Sequence, residues 1–441
     1  MVEMVRELVE KSAEVDTEDG KGRTALTVAL AFGQEAAARA LLEAGAGVNA
    51  GTGQRPLHGA AEGGMVEMLR ELVDKGADVD AEDGEGHTAL TVALAGGQEA
   101  AARALLEAGA GVNAGTGRRP LHAAAERGTV ELVRELLEKS AEVDAEDREG
   151  RTALTVALAF GQEAAARALL EAGAGVNAGT GRRPLHAAAE RGTVELEAAA
   201  RALLEAGAGV NAGTGRRPLH AAAEKGMVEM VRDLVDKGAE VDAEDGEGHT
   251  ALTQALAGGK EAAARALLEA GAGVDAGTGQ RPLHAAAMKG TVEMVRELVE
   301  KGAEVDAEDR EGCTALTVAL AFGQEAAARA LLEAGAGVNA GTGRRPLHTA
   351  AEKGMVEMVR ELVEKSAEVD AEDREGCTAL TVALAYGQEA AARALLEAGA
   401  GVNAGTGRRP LHTAAEKGMV EMWAEASGQC FSAEILQLVQ K

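Results

Sequence analysis

The chain has 441 residues, with 72 Asp and Glu against 45 Lys and Arg for a formal net charge of −27, and six aromatic side chains (four Phe, one Tyr, one Trp). Hydrophobic residues, mostly Ala, Leu and Val, make up 46%, so the chain is not a disordered polymer, yet it lacks the aromatic area one large core would bury. Its acidity excludes the clustered Lys and Arg that a phosphate backbone or an anionic leaflet needs, and no apolar run approaches the roughly 18 residues of a membrane span.

Taken in chain order, Met1 to Asp16 matches Met355 to Asp370 almost residue for residue, without a helix before it, so residues 1–23 are expected to be a truncated half-repeat. Glu3 and the lack of a long apolar stretch exclude a secretory signal, and a cytoplasmic or nuclear location is expected. From there two patterns alternate. T-A-L-T starts at Thr24, Thr88, Thr152, Thr250, Thr314 and Thr378; R-P-L-H starts at Arg55, Arg119, Arg183, Arg217, Arg281, Arg345 and Arg409. Steps of 31 and 33 residues make a duplicated block of 64, built of two related units.

Arg119 to Ser140 shows one unit. Pro120 suits the first helical position, where a missing N–H is harmless. Leu121 and Ala123 to Ala125 then make a short apolar helix that stops at Gly128. A glycine stands nine residues after the start of all thirteen units, from Gly33 to Gly418, and predicts a left-handed turn. Val130, Leu132, Val133, Leu136 and Leu137 form the apolar stripe of a second helix. Neither helix is long enough to be stable alone, so neighbours must stack.

The string R-P-L-H-A-A-A-E-R-G-T-V-E-L-V-R-E-L-L-E-K-S-A-E-V-D-A from Arg119 resembles the ankyrin repeat. The likeness covers residues 1 to about 422. It implies an all-α fold, a solenoid of stacked helix–turn–helix units with hairpin fingers on its concave side. It also implies protein binding without catalysis.

Departures from the family pattern divide the chain further. Residues 24–182 form a first block and 217–422 a second. Between them lies a fused repeat at 183–216, where Thr193-Val-Glu-Leu196 runs into Glu197-Ala-Ala-Ala-Arg201 and adds three residues, so a longer second helix or a bulged turn is expected. Past Met422 the pattern dissolves. Residues 423–441, with Ile435, Leu436, Leu438 and Val439, read either as a helical cap or as unrelated sequence on a truncated chain. In the R-P-L-H units, Arg replaces the family's capping Thr.

The connectors alternate in charge. Glu142 to Arg151 carries five acids and two Arg; Asn113 to Arg119 carries Arg118 and Arg119 and no acid. One reading is mutual pairing and solvation of neighbouring fingers. The other is a charge-striped groove for a protein partner with a basic or mixed-charge segment.

No catalytic, cofactor or metal motif stands out. Gly45 to Gly51 imitates a dinucleotide loop, but it follows a helix and recurs in other repeats, as a helix cap and finger would. The R-P-L-H histidines are expected, by the resemblance, to bond backbone beside the next repeat. Cys313 and Cys377 stand two repeats apart, about 20 Å by helix spacing, too far for a disulfide or a shared metal.

Two positions differ between copies. The residue before Thr is Arg23, His87, Arg151, His249, Cys313 or Cys377; the residue before the inter-helix glycine is Phe32, Gly96, Phe160, Gly258, Phe322 or Tyr386. The resemblance places both on the concave face. With Arg118 and Arg119, the non-glycine members form the candidate partner-binding set; simple drift at exposed positions is the alternative. The expected function is a non-catalytic interaction scaffold. Other readings are a recognition module of a longer enzyme or membrane protein, and a self-associating repeat array.

Overall fold

A computed structural model describes residues 2–211 and 216–416. The turn at Gly418 and the segment 423–441, with its expected cap, lie outside these residues. The chain divides into two compact units, Met1–Ala212 and Gly213–Lys441. The described residues contain 26 α-helices and no extended strand; isolated antiparallel bridges such as Glu308 with Thr314 occur in the fingers.

Within each unit, inner helices of seven or eight residues alternate with outer helices that are mostly of nine. Ala315–Ala321 and Glu325–Glu333 are one such pair. The inner helix is short because a glycine ends it: Gly323 adopts φ +72°, a left-handed turn that a side chain disfavours. Its equivalents Gly33 and Gly387 do the same, at +68° and +73°. Leu316 and Leu320 are buried on one helix, Leu331 and Leu332 on the other. Small alanines between these leucines let the inner helices approach, and the layers build a core without aromatic side chains. The helix Val194–Glu205 has twelve residues.

Polar side chains join successive repeats. His284 Nε2 donates to the Cys313 carbonyl at 2.9 Å, and His348 to that of Cys377 at 3.0 Å. His58, His122 and His220 make the same bond to residues 87, 151 and 249. This is the backbone role that the resemblance implied. His186 Nε2 also lies 3.2 Å from Glu190 on its own helix. Towards the outer helices, Asn339 Oδ1 accepts the Glu368 N–H at 3.0 Å while its amide donates to Ser366 O at 3.3 Å. Asp306 similarly accepts the Gly337 N–H at 2.8 Å.

The two unit types are capped differently. Thr314 Oγ1 accepts the Thr317 N–H at 3.4 Å, whereas Arg119 and Arg345 make no side-chain cap bond. Arg119 turns away to Glu142 at 3.0 Å, an exposed pair of little energetic weight. Arg119→Thr is therefore expected to raise stability by about 0.5–1 kcal/mol; an unchanged or lower denaturation midpoint would contradict this.

Candidate functional site

The variable positions lie where fingers meet inner helices, and the finger backbone is built before their side chains matter. In each long finger one aspartate folds the chain on itself. Asp147 Oδ1 accepts the N–H groups of Glu149 and Arg151, both at 2.9 Å, and the Asp147 N–H returns to Arg151 O at 2.9 Å. Asp245 and Asp309 hold their fingers in the same way.

The short finger then locks onto the long one. Thr342 Oγ1 donates to Glu308 at 2.6 Å, and the Gly343 N–H donates to Gly312 O at 2.8 Å. Neighbouring fingers thus pair chiefly through a hydroxyl and backbone, and the short-finger arginines look elsewhere. Arg118 reaches Glu126 at 2.5 Å, eight residues on, and Arg344 reaches Glu352 at 2.5 Å. Where Gln280 replaces this arginine, Met288 replaces the glutamate, and the two side chains meet at 3.7 Å.

The residue before Thr sets the charge of each finger. Arg23 pairs with Asp19 at 2.8 Å. Bonds from the Arg23 guanidinium, then from the N–H groups of Arg23 and Lys21, lower the Asp19 carboxyl to about 2. Arg151 pairs with Asp147 at 2.8 Å and with Glu149 at 2.9 Å. Burial would raise Asp147, but the Arg151 N–H, the Arg151 guanidinium and the Glu149 N–H bring it below the ordinary value. His87 lies 3.5 Å from Asp83 and 3.6 Å from Glu85; His249 lies 3.7 Å from Asp245 and 3.5 Å from Glu247. Burial opposes ionisation of Asp245, while the His249 and Glu247 N–H groups and the Gln254 amide hold its carboxyl below the ordinary range.

Cysteine at this position takes the place of the Arg or His. Asp309 and Glu311, beside Cys313, meet no Lys, Arg or His side chain within ion-pair distance among the described residues; nor do Asp373 and Glu375, beside Cys377. Cys377 is buried and Cys313 half-buried, where burial pushes its thiol above the usual range.

Phe32, Phe160, Phe322 and Tyr386 cap the C-termini of their inner helices and are 42–70% exposed. A recess of about 820 Å³ brings His249, Cys313 and Phe322 together with Met288 and Arg344. A second, of about 560 Å³, joins Cys313, Cys377, Tyr386 and Arg408. In the first unit His87, Arg118 and Arg151 share a smaller polar recess of about 230 Å³, and Arg23 borders another beside helix Val2–Glu10. Arg119, Phe32 and Phe160 line none of these four.

Among the described residues, no three His, Cys, Asp or Glu side chains converge to hold a metal ion. No helix there is long and apolar enough to cross a membrane. Sequence reasoning missed the turn-forming aspartates, the Thr–Glu bonds and Met288. The first had a readable signal: an aspartate stands four residues before every variable Arg, His or Cys.

The family model of ankyrin repeats (3 copies) matches residues 44–116, 108–180, 173–245, 252–342 and 334–406. Human ankyrin repeat and SOCS box protein 16 is 37% identical over 181 residues, 38% of this chain and 40% of that protein. The E3 ubiquitin-protein ligase KEG of Arabidopsis thaliana is 28% identical over 319 residues, 67% of this chain and 19% of that protein. The chain thus spans less than half the length of either relative. Among solved structures, the human ASB11 ankyrin repeat domain is similar with a TM-score of 0.45 at 32% identity, covering 49% of this chain and 98% of that one. Ankyrin repeats are in general a non-enzymatic protein–protein interaction module. Matched by that family model along most of its length, the chain belongs to the ankyrin repeat family.

Proposed function

We propose that the chain is a non-catalytic scaffold that binds a protein partner through its fingers and inner helices, chiefly between residues 246 and 408. The observation that carries this reading is the union of exposed aromatics with uncompensated acids. Phe322 and Tyr386 stand beside Asp309, Glu311, Asp373 and Glu375, whose counterparts in the Arg151 finger pair with its guanidinium and in the His249 finger lie 3.5–3.7 Å from the ring. Aromatic side chains favour interface anchoring, and carboxylates without an ion-pair partner favour a basic segment. The variable positions also go together: Arg with Phe, His with Gly, Cys with Phe or Tyr. Duplication explains the recurrence of a pair; the shared recess gives the Cys–aromatic pair a use.

A test begins with capture and identification of the protein retained by this chain, followed by titration of that purified protein. The double variant Phe322→Ala, Tyr386→Ala is expected to lose at least tenfold in affinity, an effect of about 1.4 kcal/mol or more, with its melting unchanged. Affinity of the wild type is expected to fall as salt rises. Retained binding, or loss of stability in place of binding, would contradict the reading.

A second reading, the recognition module of a longer protein, is favoured by the lengths of the relatives. One of them, which this chain spans over 19% of its length, is named as an E3 ubiquitin-protein ligase. Full-length transcript sequence around the segment tests it directly.

A further inference from the structure

The long fingers share one backbone turn and differ in what faces its aspartate. Asp147 Oδ1 accepts the Glu149 and Arg151 N–H groups, both at 2.9 Å, and Asp309 Oδ1 accepts those of Glu311 and Cys313 at the same 2.9 Å. Asp373 repeats the arrangement with Glu375 at 2.9 Å and Cys377 at 2.8 Å. With one oxygen held by two N–H groups, the turn also sets the direction of the other, Oδ2.

In the fingers of Asp19, Asp83, Asp147 and Asp245 a side-chain nitrogen stands beside Oδ2. Arg151 places Nε and Nη2 at 2.8 Å from Asp147 Oδ2, and its Nη1 lies 2.9 Å from Glu149. Arg23 approaches Asp19 Oδ2 at 3.0 and 2.8 Å. His87 Nδ1 lies 3.5 Å from Asp83 Oδ2, and the Gln254 amide donates to Asp245 Oδ2 at 3.1 Å. Asp309 Oδ2 and Asp373 Oδ2 have no such partner among the described residues. Cys313 and Cys377 stand in place of the arginine, and Val318 and Val382 in place of Gln254.

We propose that these two fingers bind arginine side chains of a protein partner. One guanidinium is seated between Asp309 Oδ2 and Glu311 and another between Asp373 Oδ2 and Glu375, as the guanidinium of Arg151 is seated between Asp147 and Glu149. This rests on the partner-binding reading and narrows its basic segment to one kind of side chain. A planar guanidinium reaches two carboxylates at once, whereas a lysine ammonium is a point charge. Val318, Met288 and Phe322 line the first recess, giving apolar contact to an arginine stem and an aromatic face to its guanidinium. Val382 and Tyr386 line the second.

The arginines already in these recesses are engaged elsewhere. Arg310 donates to Thr278 O at 2.9 Å and Arg374 to Thr342 O at 3.1 Å. Arg344 pairs with Glu352 at 2.5 Å and Arg408 with Glu416 at 3.4 Å. Both cysteine fingers belong to the second unit and stand two repeats apart, about 20 Å by helix spacing. An extended chain rises about 3.3 Å per residue, so one segment serves both fingers with arginines about six residues apart.

Fluorescence anisotropy of the 441-residue chain with a dye-labelled serine–glycine peptide carrying two arginines about six residues apart tests this. Peptides with lysine or neutral citrulline in their place are the comparison. The arginine peptide is expected to bind about tenfold more tightly than the lysine peptide, and the citrulline peptide to show no saturable binding. Cys313→Arg with Cys377→Arg gives each finger its own guanidinium, as Arg23 and Arg151 do, and is expected to weaken the arginine peptide to the level of the lysine peptide with melting unchanged or raised. Glu311→Gln with Glu375→Gln, both at exposed positions, is expected to do the same. Equal binding of arginine and lysine peptides, or unchanged arginine binding in either double variant, would overturn the proposal. So would a captured protein that Phe322→Ala, Tyr386→Ala loses and Cys313→Arg, Cys377→Arg keeps, and the partner-binding reading would then stand. An arginine preference with no protein captured would support the arginine sites and remove that reading.

Discussion

Lowering the pH from about 7.5 to about 5.5 at constant ionic strength is expected to lower the melting temperature, through histidines that the fold holds neutral. His58, His122, His220, His284 and His348 are each pushed below the ordinary histidine pKa, in every case chiefly by burial. The carbonyl that accepts from Nε2 and a nearby aspartate, such as Asp309 at His284, oppose the shift without reversing it. Nε2 donates its proton to the next repeat, so a second proton has to go to Nδ1, which in His58, His122, His284 and His348 is buried without a partner.

The folded pKa is depressed, so the unfolded chain binds the proton first as pH falls. The histidine contribution is full above about 6.5 and is lost as pH drops through the folded values. In that window each histidine adds a slope approaching about 1.4 kcal/mol per pH unit. Two of the five belong to the first unit and three to the second. Carboxylate protonation would relieve self-repulsion, but ordinary carboxylates titrate below this window. His284→Gln with His348→Gln keeps a neutral donor for each carbonyl and is expected to flatten the dependence of the second unit. A flat profile in the wild type, or an equal slope in the variant, would contradict the assignment.

How far the sequence was readable differs between scaffold and site. The inner and outer helices follow from R-P-L-H, T-A-L-T and the leucine stripes, because helix period and glycine stops are local properties. The histidine bonds came only through the resemblance, since a bond spanning 29 residues leaves no local pattern. Acidic fingers read as solvated charge, yet Asp147 turns inward to organise its own backbone. Arg151 and Arg23 read as candidate partner contacts; that their guanidinium groups pair with the acids of their own fingers was not legible without the finger geometry. Arg118 lines a small polar recess and also pairs with Glu126 on its own inner helix. The aromatics at 322 and 386 were visible as members of a position that differs between copies. That cysteine beside them leaves carboxylates unpaired required the finger geometry.

Close backbone approach is the property least visible in sequence, and it leads to the second large effect. Gly279→Ala is expected to destabilise the second unit by about 3 kcal/mol, the sum of overpacking and a weakened buried hydrogen bond. A Cβ at Gly279 would stand 2.5 Å from Glu247 O, with His249 Cδ2 at 3.0 Å and Gly248 C at 3.1 Å. Two of these three atoms are main chain, so relief means separating the short finger from the long one and stretching the 2.8 Å bond from the Gly279 N–H to Gly248 O. Gly271 is the control from the same repeat. It adopts φ +88° with nothing within 4 Å of an added Cβ, so alanine there incurs only the left-handed backbone penalty of about 1 kcal/mol. Side chains are tolerated at this turn: Ser140 and Ser366 occupy the equivalent place at φ +67° and +70°. Denaturation midpoints of the two variants measure the difference, and amide exchange at Gly279 shows whether the finger has opened. Gly279 borders the recess that holds His249, Cys313 and Phe322, so Gly279→Ala should also weaken partner capture while Gly271→Ala leaves it intact. Equal effects of the two substitutions would mean that the fingers are not locked to each other and that the recess between them is not a rigid surface.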